Sequence, residues 1–272
     1  MIVRAPATSA NLGAGFDCAG VALGLWNELE LTDGDGVVVE GAGAGELPAD
    51  GSNLAVRAYA LLADPTGKRF RFVNRIPLES GLGSSAAAIA LGLRAAAPAA
   101  ASDEELLALG LTLEPHADNL AAALAGGFTL TWDGRIARVA STLPFQPVAV
   151  IPSTRVETAV ARAALPREVP HDDAAFTLAR AALLGAAAAS GRADLFRAAL
   201  DDRLHEPYRG SALVGELRAN LPDGAQGATL SGSGPTVIVW SDDAAACARE
   251  LERRYPEHRV LTLVVSPTGA HA

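Results

Sequence analysis

Three features of the 272-residue sequence predict an α+β protein of two domains. Its length, at about 150 residues per domain, gives roughly two. Strand-type and helix-type segments are mixed within both halves and do not follow a regular βαβ alternation. Three prolines between Pro144 and Pro152 bracket one short strand and mark the expected boundary, which gives domains 1–145 and 146–272. Half of the residues are hydrophobic and 19% are charged, so the chain can bury a sizeable core and lies outside the disordered range.

In the first half, Val3–Ser9 and Glu28–Leu31 read as strands, and the β-branched run Val37–Glu40 is a third that ends in the turn Gly41–Gly45. No helix follows that turn and Pro48 closes it, so it reads as a plain connection and not as a dinucleotide loop. Asn53–Leu62 has helical apolar spacing, Phe70–Ile76 is strand-like, and Ser84–Ala97 is a strong helix of Ala and Leu. Helices Asp103–Leu113 and Asp118–Ala125 precede the Gly126-Gly127 break. Phe128–Trp132 and Arg135–Val139 then form a hairpin on Asp133-Gly134. In the second half, a strand at Val148–Ile151 leads to helices at Val156–Ala164, Asp173–Ala189, Asp194–Leu200 and Ser211–Ala219. Strands Gly227–Leu230 and Thr236–Trp240 flank a glycine loop, and helix Asp243–Arg254 with strand Arg259–Val265 completes the chain.

Composition excludes several functions. A formal net charge of −9 argues against nucleic-acid binding. Pro6 interrupts the N-terminus before any apolar segment forms, so no secretory signal is expected, and no apolar run approaches the ~20 residues of a membrane span. A cytoplasmic protein with no membrane partner is the expectation. Cys18 and Cys247 are too few and too far apart for a disulfide framework, and both read as small buried apolar residues. The five histidines show no metal spacing, so zinc is not expected. Lys68, the only lysine, is followed by Arg69 and lacks a glycine-rich approach, which excludes a Walker-type loop.

Four polar clusters carry the chemistry. Ile76–Ala88 is a strand feeding a glycine turn and an Ala helix. Gly81 and Gly83 let the backbone approach a ligand closely, and the free N–H groups of the helix start favour a phosphate. Ser84 and Ser85 can each serve there as helix cap, phosphate donor or magnesium ligand. A valine at Gly83 is expected to abolish nucleotide binding and leave the fold largely intact. Leu230–Thr236 is a second glycine loop between two strands, stiffened by Pro235. Glu114–Asn119 gathers two carboxylates, an imidazole and an amide at a helix start, where capping and function are both open readings. Ala5–Asp17 stays polar where a first strand would ordinarily continue, a pattern that is costly unless the polar groups bind something.

Together these clusters resemble the GHMP kinases, nearly the whole chain in order. Gly81–Ala87 is similar to the ATP-binding motif of that family and Ser231–Thr236 to its C-terminal glycine motif. Ala5-Pro6-Ala7-Thr8-Ser9-Ala10-Asn11-Leu12-Gly13-x-Gly15-Phe16-Asp17, His116-x-Asp118-Asn119, Thr158-x-x-x-Arg162-x-x-Leu165-Pro166 and Glu206-Pro207-x-Arg209 look like its homoserine kinase branch. The resemblance implies an N-terminal domain like the second domain of ribosomal protein S5, a ferredoxin-like C-terminal domain, and transfer of the ATP γ-phosphate to the hydroxyl of L-homoserine, on the route to threonine. It implies nucleotide contacts from Pro77, Ser80, Gly81, Leu82, Gly83, Ser84, Ser85, Ala86, Ala87, Ser231, Gly232, Ser233 and Gly234. It implies homoserine contacts from Asn11, Asp17, Asn119, Arg162 and Arg209, and Mg²⁺ held by Ser85 and Glu114. Ser85, Glu114 and Asn119 are then the catalytic group, with no dedicated base; Asp118 can be read as a base or as a helix cap. A homodimer is among the assemblies the sequence permits. Two positions depart from the family pattern. Glu79 stands where a small residue is expected, so its carboxylate should point away from the phosphates, and Pro115 replaces a small residue after Glu114.

Overall fold

In the computed structural model, which describes residues 1–272, strands β1 (Ile2–Asn11) and β2 (Gly15–Asp33) form an antiparallel hairpin running from Ile2 opposite Glu30 to Asn11 opposite Gly15. The sequence predicts a first strand that stops at Ser9 and, of the second, only Glu28–Leu31. The polar run between them is the tip of this hairpin, where Asn11, Leu12 and Gly13 all take positive φ (72°, 47° and 76°). The length of β2 was hidden because Ala19 through Leu23 are all buried, and a strand buried on consecutive residues shows no two-residue alternation.

The first sheet is completed by β3 (Gly36–Gly41), β4 (Lys68–Asn74), β5 (Phe128–Trp132) and β6 (Arg135–Ala140), in the order β3-β4-β2-β5-β6 with β1 added on β2. β3 and β4 run parallel, and the crossover between them carries α1 (Leu54–Ala60). Helices α2 (Ser84–Ala96), α3 (Asp103–Gly110) and α4 (Ala117–Ala125) bury Leu91, Leu107 and Leu120 in one core with Phe70 and Phe128 of the sheet.

The second sheet has the order β10-β7-β9-β8, all antiparallel, from β7 (Gln146–Ile151), β8 (Ala225–Leu230), β9 (Val237–Ser241) and β10 (Arg259–Thr262). Here the period of two decides the packing. Val148, Val150, Val237 and Val239 join a small core under α8 (Ala212–Ala219) and α9 (Ala244–Arg254). The alternate residues Ala149, Ile151, Ile238 and Trp240 belong to the large core shared with the first sheet. α5 (Thr158–Ala163), α6 (His171–Ser190), α7 (Ala193–Ala199) and a short 3₁₀ turn at Glu206–Tyr208 lie between β7 and β8 in sequence. α5 is shorter than the expected Val156–Ala164. The last strand was expected to reach Val265, but it ends at Thr262. The chain then returns to the first sheet: Gly24 N–H donates to the Val264 carbonyl (2.9 Å), and the His271 N–H to that of Arg4 (3.0 Å). No helix is long and apolar enough to cross a membrane.

Candidate active site

A cleft of about 560 Å³ opens where the two sheets meet. Of the residues singled out from sequence, Asn11, Asp17, Ser80, Gly81, Gly83, Ser84, Ser85, Glu114, Asn119, Arg162, Arg209, Gly232 and Ser233 line it. They come from six separate stretches of chain, gathered by the β1–β2 hairpin tip, the turn before α2, the start of α4, α5, the 3₁₀ turn and the β8–β9 loop.

The turn before α2 presents an open helix start. Its N-cap is Gly83 in the left-handed region (φ 68°), with no side-chain cap, so Ser84 and Ser85 are the first helical residues and not caps. Gly83 has a second reason to lack a side chain, because a Cβ there would stand 1.9 Å from Thr8 Oγ1. A β-branched residue therefore strikes the packing of β1 against α2 before it reaches any phosphate, which corrects the expectation of an intact fold. Gly83→Ala is expected to cost about 1–3 kcal/mol of stability, measurable by urea denaturation.

The two glycine loops lie back to back. Ser231 is fully buried and its hydroxyl donates to the Gly81 carbonyl (2.7 Å), with Ser9 Oγ 2.9 Å away. A Cβ on Gly81 would meet the Ser231 carbonyl oxygen at 2.3 Å. Ser231 thus braces the turn before α2 from behind and does not line the cleft. Leu82, Ala86 and Ala87 are likewise buried in the core, and Pro77 and Gly234 do not line the cleft either. Glu79 takes a left-handed backbone (φ 50°) and is exposed, its carbonyl accepting from Val156 N–H (3.1 Å).

Ser85 and Glu114 meet directly. Ser85 Oγ donates to Glu114 Oε1 (2.9 Å), and His116 Nδ1 lies 2.8 Å from the same oxygen. Burial opposes ionisation of Glu114, but the hydrogen bonds from His116 and Ser85 outweigh it and hold its carboxyl below the ordinary glutamate range. The bond to Glu114 in turn raises His116. One ionised carboxylate and one hydroxyl at a helix start suit Mg²⁺, which takes few protein ligands and completes its shell with phosphate oxygens and water.

At α4 the helix-start N–H of Asn119 is taken by the Asp118 carboxylate from within the first turn, so Asp118 serves the helix end without being its N-cap. The N-cap position itself is held by His116, whose side chain makes no cap bond. Asp118 is buried and accepts from Asn119 N–H (2.7 Å). Burial, aided by the charge of Asp17, pushes the Asp118 carboxyl up to about 6 from an ordinary 3.8. The folded protein therefore holds this proton more tightly than the unfolded chain. The stability is fully present below the ordinary value and is lost as pH rises through about 6. Asp118→Asn is expected to stabilise the ligand-free protein by about 2–3 kcal/mol at neutral pH and by almost nothing near pH 4, read from urea denaturation at both.

Opposite, Arg162 makes a two-pronged ion pair with Asp17, Nη1 to Oδ2 at 3.0 Å and Nη2 to Oδ1 at 2.6 Å. Asn11 is structural at both ends: its Nδ2 donates to the Gly232 carbonyl (3.1 Å) and its Oδ1 accepts from Asp17 N–H (3.0 Å), fixing the Asp17 backbone. Arg209 donates to the same Gly232 carbonyl, while its Nε is buried without a partner. The ring of Phe16 lies under both guanidinium groups, 5.7 Å from Arg162 and 5.5 Å from Arg209, and stacks on His205 at 5.0 Å.

The cleft lining also includes Leu47, Pro48, Leu54, Phe72, Asn74, Leu78 and Leu91, none of which the sequence analysis singles out. Their signal was weak: the Gly41–Gly45 turn reads as a connection, yet the residues that follow it form one wall. Arg155 closes across this wall onto Glu46 with two hydrogen bonds, one at 3.1 Å.

Residues 53–127 match the GHMP kinases N terminal domain. The chain is 43% identical to a homoserine kinase of Streptomyces avermitilis, over 90% of this chain and 86% of that protein. It is 39% identical to one from Gloeobacter violaceus, over 99% and 97%. The chain belongs to the homoserine kinase family of GHMP kinases. A crystal structure of homoserine kinase from Cytophaga hutchinsonii superposes with a TM-score of 0.85 at 26% identity, covering 99% of this chain and 96% of that one. The two-domain α+β GHMP fold expected from sequence is the fold observed, and the GHMP kinase family carries with it ATP as phosphate donor.

Proposed function

We propose that the protein transfers the γ-phosphate of ATP to the side-chain hydroxyl of L-homoserine, giving O-phospho-L-homoserine and ADP. The observation that carries the choice of acceptor is the Asp17–Arg162 pair beside the partly unpaired Arg209. An amino-acid zwitterion can replace one internal ion pair by two intermolecular ones, its ammonium on Asp17 and its carboxylate on Arg162 and Arg209, so that neither member of the opened pair is left without a partner. A sugar has neither charge, and mevalonate lacks the ammonium.

The phosphates of ATP lie over the Gly81–Ser85 turn, with the nucleoside in the apolar end of the cleft. Of five lining carboxylates (Asp17, Glu46, Glu79, Glu114, Asp118), Glu46 is paired with Arg155, and the other four stand against three lining guanidinium groups (Arg57, Arg162, Arg209), so the cleft does not by itself offset a triphosphate. Ser85 and Glu114 would hold Mg²⁺, which supplies the missing positive charge when bound. The acceptor hydroxyl lies beside Asn119. A loose phosphoryl-transfer transition state asks for alignment and charge neutralisation more than for proton removal, so no dedicated base is invoked. The reading is tested by offering ATP and Mg²⁺ with homoserine, mevalonate, galactose or serine and following ADP release. Turnover with homoserine far above the other three is expected, and preference for any of them would contradict it.

A further inference from the structure

Thr8 is fully buried, yet it touches both halves of the reaction site. Its N–H donates to the carbonyl of Leu82 inside the phosphate turn (3.0 Å), and its hydroxyl donates to Asn119 Oδ1 (2.7 Å). The missing side chain of Gly83 makes room for that second bond, since a Cβ would lie 1.9 Å from Thr8 Oγ1 and 3.2 Å from Asn119 Oδ1. The orientation of the amide follows from chemistry. Asn119 Nδ2 lies 3.4 Å from Asp118 Oδ1, and an ionised carboxylate can only accept, so the NH₂ end faces Asp118 and the carbonyl end faces Thr8. That Asp118 oxygen is already engaged by the Asn119 N–H at 2.7 Å, which leaves the Thr8 hydroxyl as the short bond anchoring the amide.

We propose that Thr8 is a positioning residue for phosphoryl transfer, its hydroxyl holding the Asn119 amide so that the acceptor hydroxyl meets an N–H donor beside the phosphate turn. This rests on the reading of Asn119 as the acceptor-side residue. Thr8 touches no reacting atom; it acts through Asn119 and ties that residue to the loop that cradles the phosphates. A small displacement of the acceptor relative to the γ-phosphate slows transfer without weakening nucleotide binding.

The experiment is a double-mutant cycle on the full chain. Thr8→Val keeps the shape and removes the donor, and it is expected to lower kcat about 10- to 100-fold with ATP affinity retained in calorimetry. Thr8→Ser, which restores the hydroxyl, should recover most of the turnover. In an Asn119→Ala background, Thr8→Val should have no further effect. Wild-type kcat in Thr8→Val, effects that multiply in the double variant, or a loss of ATP affinity that parallels the loss of turnover would each overturn the proposal. If Asn119→Ala alone leaves kcat unchanged, the acceptor-side reading of Asn119 falls first and takes the role of Thr8 with it.

Discussion

Arg209→Leu raises the KM for homoserine about 10- to 150-fold, the factor equivalent to a charged hydrogen bond of about 1.5–3 kcal/mol, and leaves the KM for ATP at the wild-type value. Arg209 is the better test of the carboxylate clamp than Arg162, because Arg162 already satisfies Asp17 in the free protein whereas Arg209 Nε has no partner. Arg162→Leu would confound two effects, since it also leaves Asp17 unpaired beside Asp118. Arg209→Lys separates charge from shape. The ammonium keeps the charge but cannot reproduce the fork or its stacking over Phe16, so an intermediate KM is expected. Steady-state kinetics with each substrate varied in turn reads all three variants.

Glu114→Gln is expected to cut kcat by at least about 100-fold while changing ATP affinity far less. The carboxylate stands at the helix start with Ser85 and His116 on one of its oxygens, and an amide cannot carry the charge that a cation needs there. A second readout is independent of turnover. Because the bond to Glu114 is the leading cause that raises His116, its titration in the variant should move downward, and NMR of the imidazole reports that directly. Near-normal turnover in Glu114→Gln would remove it from the site.

What could be read from the sequence divides along physical lines. The turn Gly81–Ser85 could be read as an anion-binding candidate because that chemistry is local, whereas Glu114, Arg162 and Arg209 were singled out through the family resemblance; the cleft brings Gly81, Ser85, Glu114, Arg162 and Arg209 together. Anion binding at a glycine-rich helix start needs only a few consecutive residues. Roles that depend on what lies behind a residue were not legible. Ser231 is fully buried with its hydroxyl on the Gly81 carbonyl and beside Ser9, and Asn11, which lines the cleft, also ties Gly232 to Asp17 with one bond at each end of its amide. The separation of 111 residues between Thr8 and Asn119 left no trace in composition or periodicity. The first part of β2, before Glu28, escaped notice for the reverse reason, since burial along consecutive residues erased the alternation by which strands are recognised. The return of the C-terminal segment to the first sheet is a tertiary pairing through backbone groups, which any sequence of suitable size could make.

The measurement that bears most directly on the central claim is the structure of the ternary complex with a non-hydrolysable ATP analogue, Mg²⁺ and L-homoserine. The account predicts the γ-phosphate over the Gly81–Ser85 turn, the homoserine carboxylate on Arg162 and Arg209 with its ammonium on Asp17, the Asp17–Arg162 pair opened, and the acceptor hydroxyl beside Asn119. Homoserine bound with the Asp17–Arg162 pair still closed, or with its hydroxyl directed away from Asn119 and the γ-phosphate, would contradict it.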